Sequence, residues 1–172
     1  MRKLLPSPSA APTAPQSQVP AGLWEALQAS SSRPRPASQL LPSFPNGLAD
    51  VLSPETNTNK PDLLCPRPGC GSLILKSGAA TLQERSSILL EPPEYQSRSP
   101  LAPLPPPGTP AHWWLVTPSP MAFENIGFSK PLTDNPRMKL LACAECDLGP
   151  LGWCEQGGRE FWLAVGRVGY RV

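Results

Sequence analysis

The stretch Leu140–Trp153 reads LLACAECDLGPLGW, and its two cysteines, Cys143 and Cys146, indicate how this chain folds. The apolar residues that lead into it, Met138–Ala142, predict a buried strand that ends at a tight turn. Cysteines three positions apart on one turn place two thiolates where both can bind the same metal ion. The stretch therefore predicts one half of a four-cysteine zinc site.

A second cysteine pair supplies the other half. Cys65 and Cys70 lie in the sequence CPRPGC, between the short apolar runs Asp62–Leu64 and Ser72–Leu75. This order predicts a strand, a cysteine turn and a second strand, as in a zinc hairpin. Four thiolates would close the coordination sphere, so the zinc would be structural. Buried thiols without a metal, or two disulfides, are the alternatives.

Proline divides the chain into two regions. Of 26 prolines in 172 residues, eleven lie between Pro6 and Pro61. Residues 1–60 are therefore predicted to be a disordered tail rich in Pro, Ser and Ala, with short apolar islands at Leu23–Leu27 and Leu48–Leu52. Residues 61–172 are predicted to form the folded domain. A second proline-rich stretch, residues 91–110, reads as an extended insertion within that domain.

Short apolar runs separated by glycine turns predict a mostly β, antiparallel fold. His112–Val116 has strand character, and Thr81–Leu90 is a plausible strand with a polar centre. Leu151–Cys154 and Phe161–Val165 are expected to pair across a turn that contains two glycines. With only about 70 to 80 residues able to pack, such a domain commonly needs a metal or a disulfide.

Charge and targeting signals limit the location and the partners. Residues 61–172 contain ten Lys/Arg and ten Asp/Glu, so the domain lacks the positive charge that nucleic-acid binding requires. Met1–Leu5 begins like a signal peptide, but Pro6 and Pro8 interrupt it at once. An odd number of cysteines, five, suits a reducing compartment, so the expected location is cytoplasmic. A mitochondrial presequence is the weaker alternative, because no acid precedes Glu25.

Residues for catalysis are hard to find in the sequence. The single histidine, His112, stands beside two tryptophans, where a strand-end role is more common than that of a base. The fifth cysteine, Cys154, lies on a predicted strand and reads as a small buried hydrophobic residue, although it could be a nucleophile. No catalytic set is therefore assigned.

Five motifs, in order along the chain, resemble the Rab-interacting factor family, also called mammalian suppressor of Sec-four. They cover about residues 64–168, apart from the proline-rich insertion and the N-terminal tail. The motifs are Cys70-Gly-Ser-x-Ile-Leu, Trp114-Leu-Val, Phe123-Glu-Asn-Ile-Gly-Phe-Ser-Lys130, Leu141-x-Cys-Ala-x-Cys146 and Gly149-Pro-Leu-Gly-Trp153.

The resemblance implies a β-tent fold with one zinc ion held by Cys65, Cys70, Cys143 and Cys146. It implies a guanine nucleotide exchange factor or holding chaperone that binds nucleotide-free Rab GTPases in vesicle transport and exocytosis. Such a protein regulates a GTPase and performs no covalent chemistry. We expect a cytoplasmic monomer that reaches membranes through its Rab partner, without inserting into the bilayer and without binding nucleic acid.

In the family, the GTPase contacts come from the segment between the second and third motifs. That segment corresponds here to Thr117–Ala122, in which this chain departs from the family pattern by its prolines and by one extra residue. The predicted partner-binding residues are Pro118, Ser119, Pro120, Met121, Phe123, Glu124 and Asn125. The rival interpretation is a methionine sulfoxide reductase of the B type, which has a related zinc-bearing β fold and would use Cys154 as its nucleophile.

Overall fold

The strands of this computed structural model form one four-stranded and one eight-stranded sheet, and every strand pairing in them is antiparallel. The structure describes residues 22–23, 25–26 and 36–172. Within residues 36–172, every helix is four residues long or shorter. The prediction of a mostly β, antiparallel fold is confirmed.

The small sheet has the strand order β1-β12-β4-β5, and the large sheet has the order β2-β3-β6-β7-β11-β10-β9-β8. Short helical segments at Leu41–Ser43, Leu48–Val51, Pro93–Gln96, Pro120–Ala122 and Val165–Arg167 connect the strands. The strands are β1 (Ser38–Leu40), β2 (Leu52–Ser53), β3 (Thr58–Asn59), β4 (Leu63–Leu64), β5 (Leu73–Leu75), β6 (Thr81–Ser86), β7 (Pro110–Val116), β8 (Gly127–Phe128), β9 (Met138–Ala142), β10 (Gly152–Glu155), β11 (Phe161–Ala164) and β12 (Gly169–Arg171).

The centre of the large sheet follows the sequence pattern closely. β10 and β11 pair as predicted, with Trp153 opposite Trp162, and β9 covers the predicted residues 138–142. Gly152 is required where it stands, because a Cβ there would clash with the carbonyl oxygen of Trp162 and would lie 2.9 Å from the Cα of Leu163. β6 ends at Ser86, four residues before the predicted end of that strand.

Successive side chains of the central strands point to opposite faces of the large sheet, and both faces are buried. One face carries Trp114 and Leu163 and packs into the main core, together with the small sheet and the cysteine turns. The opposite face carries Trp113, Trp153 and Trp162, and the side chains of Leu90 and Leu104 pack against it. The planes of Trp153 and Trp162 lie 13° apart, with their centroids separated by 6.1 Å.

The folded region begins earlier than the predicted boundary at residue 61. β1 pairs with β12 in the small sheet, and β2 and β3 extend the large sheet. Val51 has no exposed surface, and the buried Asn59 side chain bonds to three backbone groups. The prediction of a disordered tail is therefore wrong for residues 38–60, because these residues gain their burial from strands distant in sequence. Most of residues 1–35, including Trp24 and Leu27, lies outside the described residues.

The proline-rich segment 91–110 is fixed to the core by a buried ion pair. Nη2 of Arg167 lies 2.9 Å from Oε2 of Glu91, and the side chains are 2% and 9% exposed. Arg167 also donates hydrogen bonds to the carbonyl oxygens of Ala102 and Pro150, both at 2.9 Å. The segment contains the short helix Pro93–Gln96 and the buried Leu101.

Candidate metal centre and candidate partner-binding loop

The first cysteine turn connects β4 to β5 in the small sheet. The backbone N–H of Cys65 donates to the carbonyl of Ser72 at 2.8 Å, and that of Cys70 donates to Arg67 at 3.0 Å. Gly69 and Gly71 adopt φ values of 78° and 53°, a region that glycine enters without steric penalty. These two glycines let the longer, proline-containing turn close with both sulfurs on the same side.

The second cysteine turn follows β9 in the large sheet. The N–H of Cys143 donates to the carbonyl of Leu148 at 2.9 Å, and the N–H of Asp147 donates back to Cys143 at 2.8 Å. Asp147 has a φ of 57°, a conformation that Asp tolerates better than most residues. The backbone hydrogen bonds therefore close this turn without a contribution from a metal ion.

The four cysteines predicted as ligands come together between the two sheets. Their sulfur atoms all lie within 4.8 Å of one another. The sulfurs of Cys65 and Cys146 are 3.5 Å apart, and those of Cys70 and Cys143 are 3.9 Å apart. A tetrahedral zinc ion with Zn–S bonds of about 2.3 Å places its sulfurs about 3.8 Å apart. The predicted cluster is confirmed, and its dimensions fit a tetrahedral metal ion.

Burial at the cluster favours neutral thiols unless a cation is bound. Burial raises the pKa of the thiols of Cys65 and Cys143. At Cys70 the same burial is outweighed by a hydrogen bond from the Ser72 backbone and by the neighbouring thiols, so its pKa is lowered. A divalent cation is the charge that would hold all four groups as thiolates. The donor set, all sulfur, suits zinc.

The predicted partner-binding segment is a loop beside this cluster. It follows β7 and contains the short helix Pro120–Ala122, whose first turn is capped by the hydroxyl of Ser119. Pro118 and Pro120 are exposed, and the side chain of Met121 is 86% exposed. A large apolar side chain so fully exposed is the kind of group found where partners bind. Whether these residues bind a partner stays a prediction.

The second half of the segment is anchored rather than open. Phe123 is half-buried and packs edge-on against Phe161, with the ring centroids 5.9 Å apart. The N–H of Glu124 donates to the carbonyl of Ile74 on β5 at 2.9 Å, and its carboxylate lies 3.0 Å from Nζ of Lys76. These contacts join the loop to the strand that leaves the first cysteine turn.

Asn125 connects the loop directly to the cysteine turn, a connection that the sequence did not reveal. Its Nδ2 donates to Oγ of Ser72 at 2.6 Å, two residues beyond Cys70. Its Oδ1 is buried and has no hydrogen-bond partner among the described residues. The cysteine turn and the loop therefore share one hydrogen-bonded support.

The geometry does not favour the reductase interpretation. Cys154 is 2% exposed, and burial raises the pKa of its thiol, so it lacks the accessible thiolate of a nucleophile. His112 is exposed, and its Nε2 lies 3.9 Å from a carboxylate oxygen of Glu84. Neither residue belongs to a catalytic arrangement with the other.

Among the described residues, no helix has both the length and the apolar character that crossing a bilayer requires.

The fold and the cluster define a mostly β protein whose two sheets meet at four cysteines arranged so that they could hold a metal ion. A family model described as Mss4 protein matches residues 58–170, and the chain belongs to that family, the Rab-interacting factors. The resemblance stated from the five motifs is therefore confirmed.

Two curated relatives carry the same name, guanine nucleotide exchange factor MSS4 homolog. The protein of Schizosaccharomyces pombe is 50% identical over 44 residues, which is 26% of this chain and 42% of the relative. The protein of Drosophila melanogaster is 43% identical over 56 residues, which is 33% of this chain and 43% of the relative. The matched regions thus span less than half the length of either relative.

Proposed function

We propose that this chain binds a small GTPase of the Rab type in its nucleotide-free form and thereby promotes release of guanine nucleotide. The observation that carries the proposal is the family match over residues 58–170, which includes both the cysteine turns and the candidate loop. The names of the two relatives, as guanine nucleotide exchange factors, support the same activity.

The proposed contact surface is formed by Pro118, Ser119, Pro120, Met121, Phe123, Glu124 and Asn125. Its exposed end offers Met121, while Phe123 and Asn125 are held by the core. A preorganised loop loses little conformational freedom on binding, which leaves more of its contact energy for affinity. Phe123 would act chiefly as the packed base from which Met121 projects.

Nucleotide exchange by this route depends on the thermodynamic coupling between two binding equilibria and requires no chemical step. A protein that prefers the empty GTPase weakens nucleotide binding by the same factor by which nucleotide weakens its own binding. Moving a GTPase from about 99% loaded to about 99% empty requires a preference of about 5.5 kcal/mol. No proton transfer or covalent intermediate is needed, and the buried Cys154 plays no part.

We propose that the metal ion is zinc and that its role is structural. Cys65 and Cys70 would hold it from the small sheet, and Cys143 and Cys146 from the large sheet. When bound, zinc supplies a fixed tetrahedral link between the two cysteine turns. Asn125 and Ser72 then connect the candidate loop to that link.

The proposed setting is the cytoplasm, on the vesicle-transport and exocytosis routes where Rab GTPases act. The chain would work as a monomer and reach membranes through its GTPase rather than by insertion. Once nucleotide has left, it would also hold the empty GTPase as a chaperone.

The experiment measures release of fluorescent GDP from a panel of purified Rab GTPases, followed by co-elution after phosphatase removal of nucleotide. At least one Rab is expected to lose GDP faster and to form a stable complex. Met121→Asp should weaken that complex about ten- to hundredfold, since burying a Met side chain contributes about 1.5–3 kcal/mol.

Tyr95→Asp is the matched control, because Tyr95 is 61% exposed but lies in the proline-rich segment. This variant should behave as the unmodified chain does. If no Rab loses nucleotide faster and none co-elutes when empty, the proposed function is wrong. An equal loss of affinity for the empty Rab in both variants would show that the loop is not part of the contact surface.

A further inference from the structure

A cavity of about 600 Å³ lies on the face of the large sheet opposite the cysteine cluster. Its volume falls in the range of roughly 300–1,000 Å³ that is typical of binding pockets. Two segments, residues 88–92 and residues 132–135, contribute to its lining together with Trp153. Its apolar lining residues include Ile88, Leu89, Leu132, Met138, Leu140 and Trp153.

The apolar lining is incompletely covered. Leu89 is 48% exposed, and Leu132 and Leu140 are only half-buried. A second cavity, of about 450 Å³, shares Ile88–Glu91 as its wall and continues toward Leu104 and Pro105. Two cavities that share one exposed leucine, Leu89, in their lining suit an extended occupant with more than one apolar side chain better than a single compact molecule.

The charged side chains that line the first cavity are all acidic, while Arg85, which covers the Trp153 ring at 4.8 Å, is not among the lining residues. Glu91, Asp134 and Glu155 are among its lining residues, and none of the described residues that line it is basic. Glu91 is neutralised by Arg167, whereas Asp134 and Glu155 are exposed and form no salt bridge within residues 36–172. An occupant with positive charge beside its apolar groups would complement this rim.

Trp153 adds an uncompensated hydrogen-bond donor. Its side chain is almost wholly buried, and its Nε1–H has no acceptor among the described residues. A buried donor left without a partner is destabilising, because it has lost its hydrogen bond to water and gained none in return. A peptide carbonyl brought to the lining at Trp153 would relieve that penalty.

We propose that this surface, defined by Leu89, Leu132, Leu140 and Trp153 with the acidic residues Asp134 and Glu155, binds a peptide segment of a partner protein that has two apolar side chains flanked by Lys or Arg. The apolar side chains enter the two cavities that share Leu89. The basic residues pair with Asp134 and Glu155, and a backbone carbonyl accepts from the indole of Trp153. The surface is separate from the candidate GTPase-binding loop.

The test uses the zinc-saturated chain and a phage library of random 12-residue peptides. Enriched peptides are expected to combine two apolar residues with Lys or Arg, and one is then labelled with fluorescein for anisotropy titration. Leu89→Asp should weaken its binding at least tenfold. The double variant Asp134→Asn/Glu155→Gln should weaken it about two- to thirtyfold, because each of the two exposed ion pairs contributes about 0.2–1 kcal/mol. Trp153→Phe, which removes the indole N–H donor together with part of the ring, should weaken it several-fold.

Two controls separate local from general effects. Val172→Asp places the same charge at a residue that is 77% exposed outside both cavities, and Glu55→Gln neutralises an exposed acid that lines neither. Both should bind the peptide as the unmodified chain does. Asp134 and Glu155 are exposed, so their variant tests the surface even if Leu89→Asp fails to fold.

Several outcomes would overturn the proposal. They are a library that yields no enriched peptide, enriched peptides without basic residues, or peptides that bind the cavity variants and the controls equally well. Binding of a neutral apolar dye to the cavity with no competition from the peptide would assign the site to small molecules instead.

Discussion

Removing the carboxylate of Glu91 should sharply destabilise the protein. In Glu91→Ala, the guanidinium of Arg167 stays buried at 2% exposure without its counter-ion. Breaking a buried ion pair by deleting one partner typically costs about 3–5 kcal/mol. Glu91 also accepts a hydrogen bond from Oγ of Ser99 at 3.1 Å, so we expect a loss of about 4 kcal/mol for the variant.

The double variant Glu91→Leu/Arg167→Met separates the ion pair from its surroundings. It removes both charges but leaves the carbonyl oxygens of Ala102 and Pro150 without their donor. Since an apolar pair of similar volume often replaces a buried ion pair at little cost, the double variant should be more stable than Glu91→Ala. The effects of Glu91→Leu and Arg167→Met on the free energy of unfolding should therefore be strongly non-additive.

Urea unfolding of reduced, zinc-saturated protein measures the effect. With a slope of about 2 kcal/mol/M, a loss of 4 kcal/mol lowers the midpoint by about 2 M. Trypsin cleavage after the exposed Arg98 should also accelerate, because the segment around it is no longer fixed to Arg167. A midpoint shift below about 0.3 M, equivalent to an exposed pair, would refute the reasoning.

Three further predictions concern the core and the metal centre. Gly152→Ala should prevent folding at 25 °C as followed by circular dichroism, because the added Cβ meets the backbone of Trp162; Gly127→Ala, whose nearest contact would be 3.6 Å, should remain folded. Purified protein should contain zinc by elemental analysis, and either chelation or Cys65→Ser should lower its thermal midpoint by well over 5 °C, whereas Cys154→Ser should keep its zinc. Cys154 should resist iodoacetamide at pH 8 in the native state, because burial raises the pKa of its thiol and only 2% of the residue is exposed; rapid labelling at that site in mass spectrometry would contradict this.

Sequence patterns that extend over a few residues predicted the strands and turns that those residues form. β9 and the β10–β11 hairpin are encoded by apolar runs and by a glycine turn, in which Gly157 has a φ of 72°. The cysteine spacing predicted the cluster of four cysteines, because two close pairs can serve as ligands of one ion only if the fold brings them together.

The features that the sequence patterns did not predict depend on contacts between residues that are far apart along the chain. β1 is a strand because β12, more than a hundred residues later, offers it an edge. The ion pair between Glu91 and Arg167 and the hydrogen bond between Asn125 and Ser72 join segments whose separation no periodic pattern records. Arg85 likewise covers Trp153 and Trp162, with its Cζ 4.8 Å and 4.7 Å from the two ring centroids.

The distance along the chain between the two cysteine turns has a consequence for synthesis. Cys70 and Cys143 are 73 residues apart, so at about 5–20 residues per second the ribosome needs roughly 4 to 15 s to produce the second turn after the first. During that interval only two of the four cysteines of the proposed zinc site have been synthesised. The nascent thiol pair can then be oxidised or take up a competing metal, so the supply of zinc and of reductant during translation should govern the yield of correctly assembled protein.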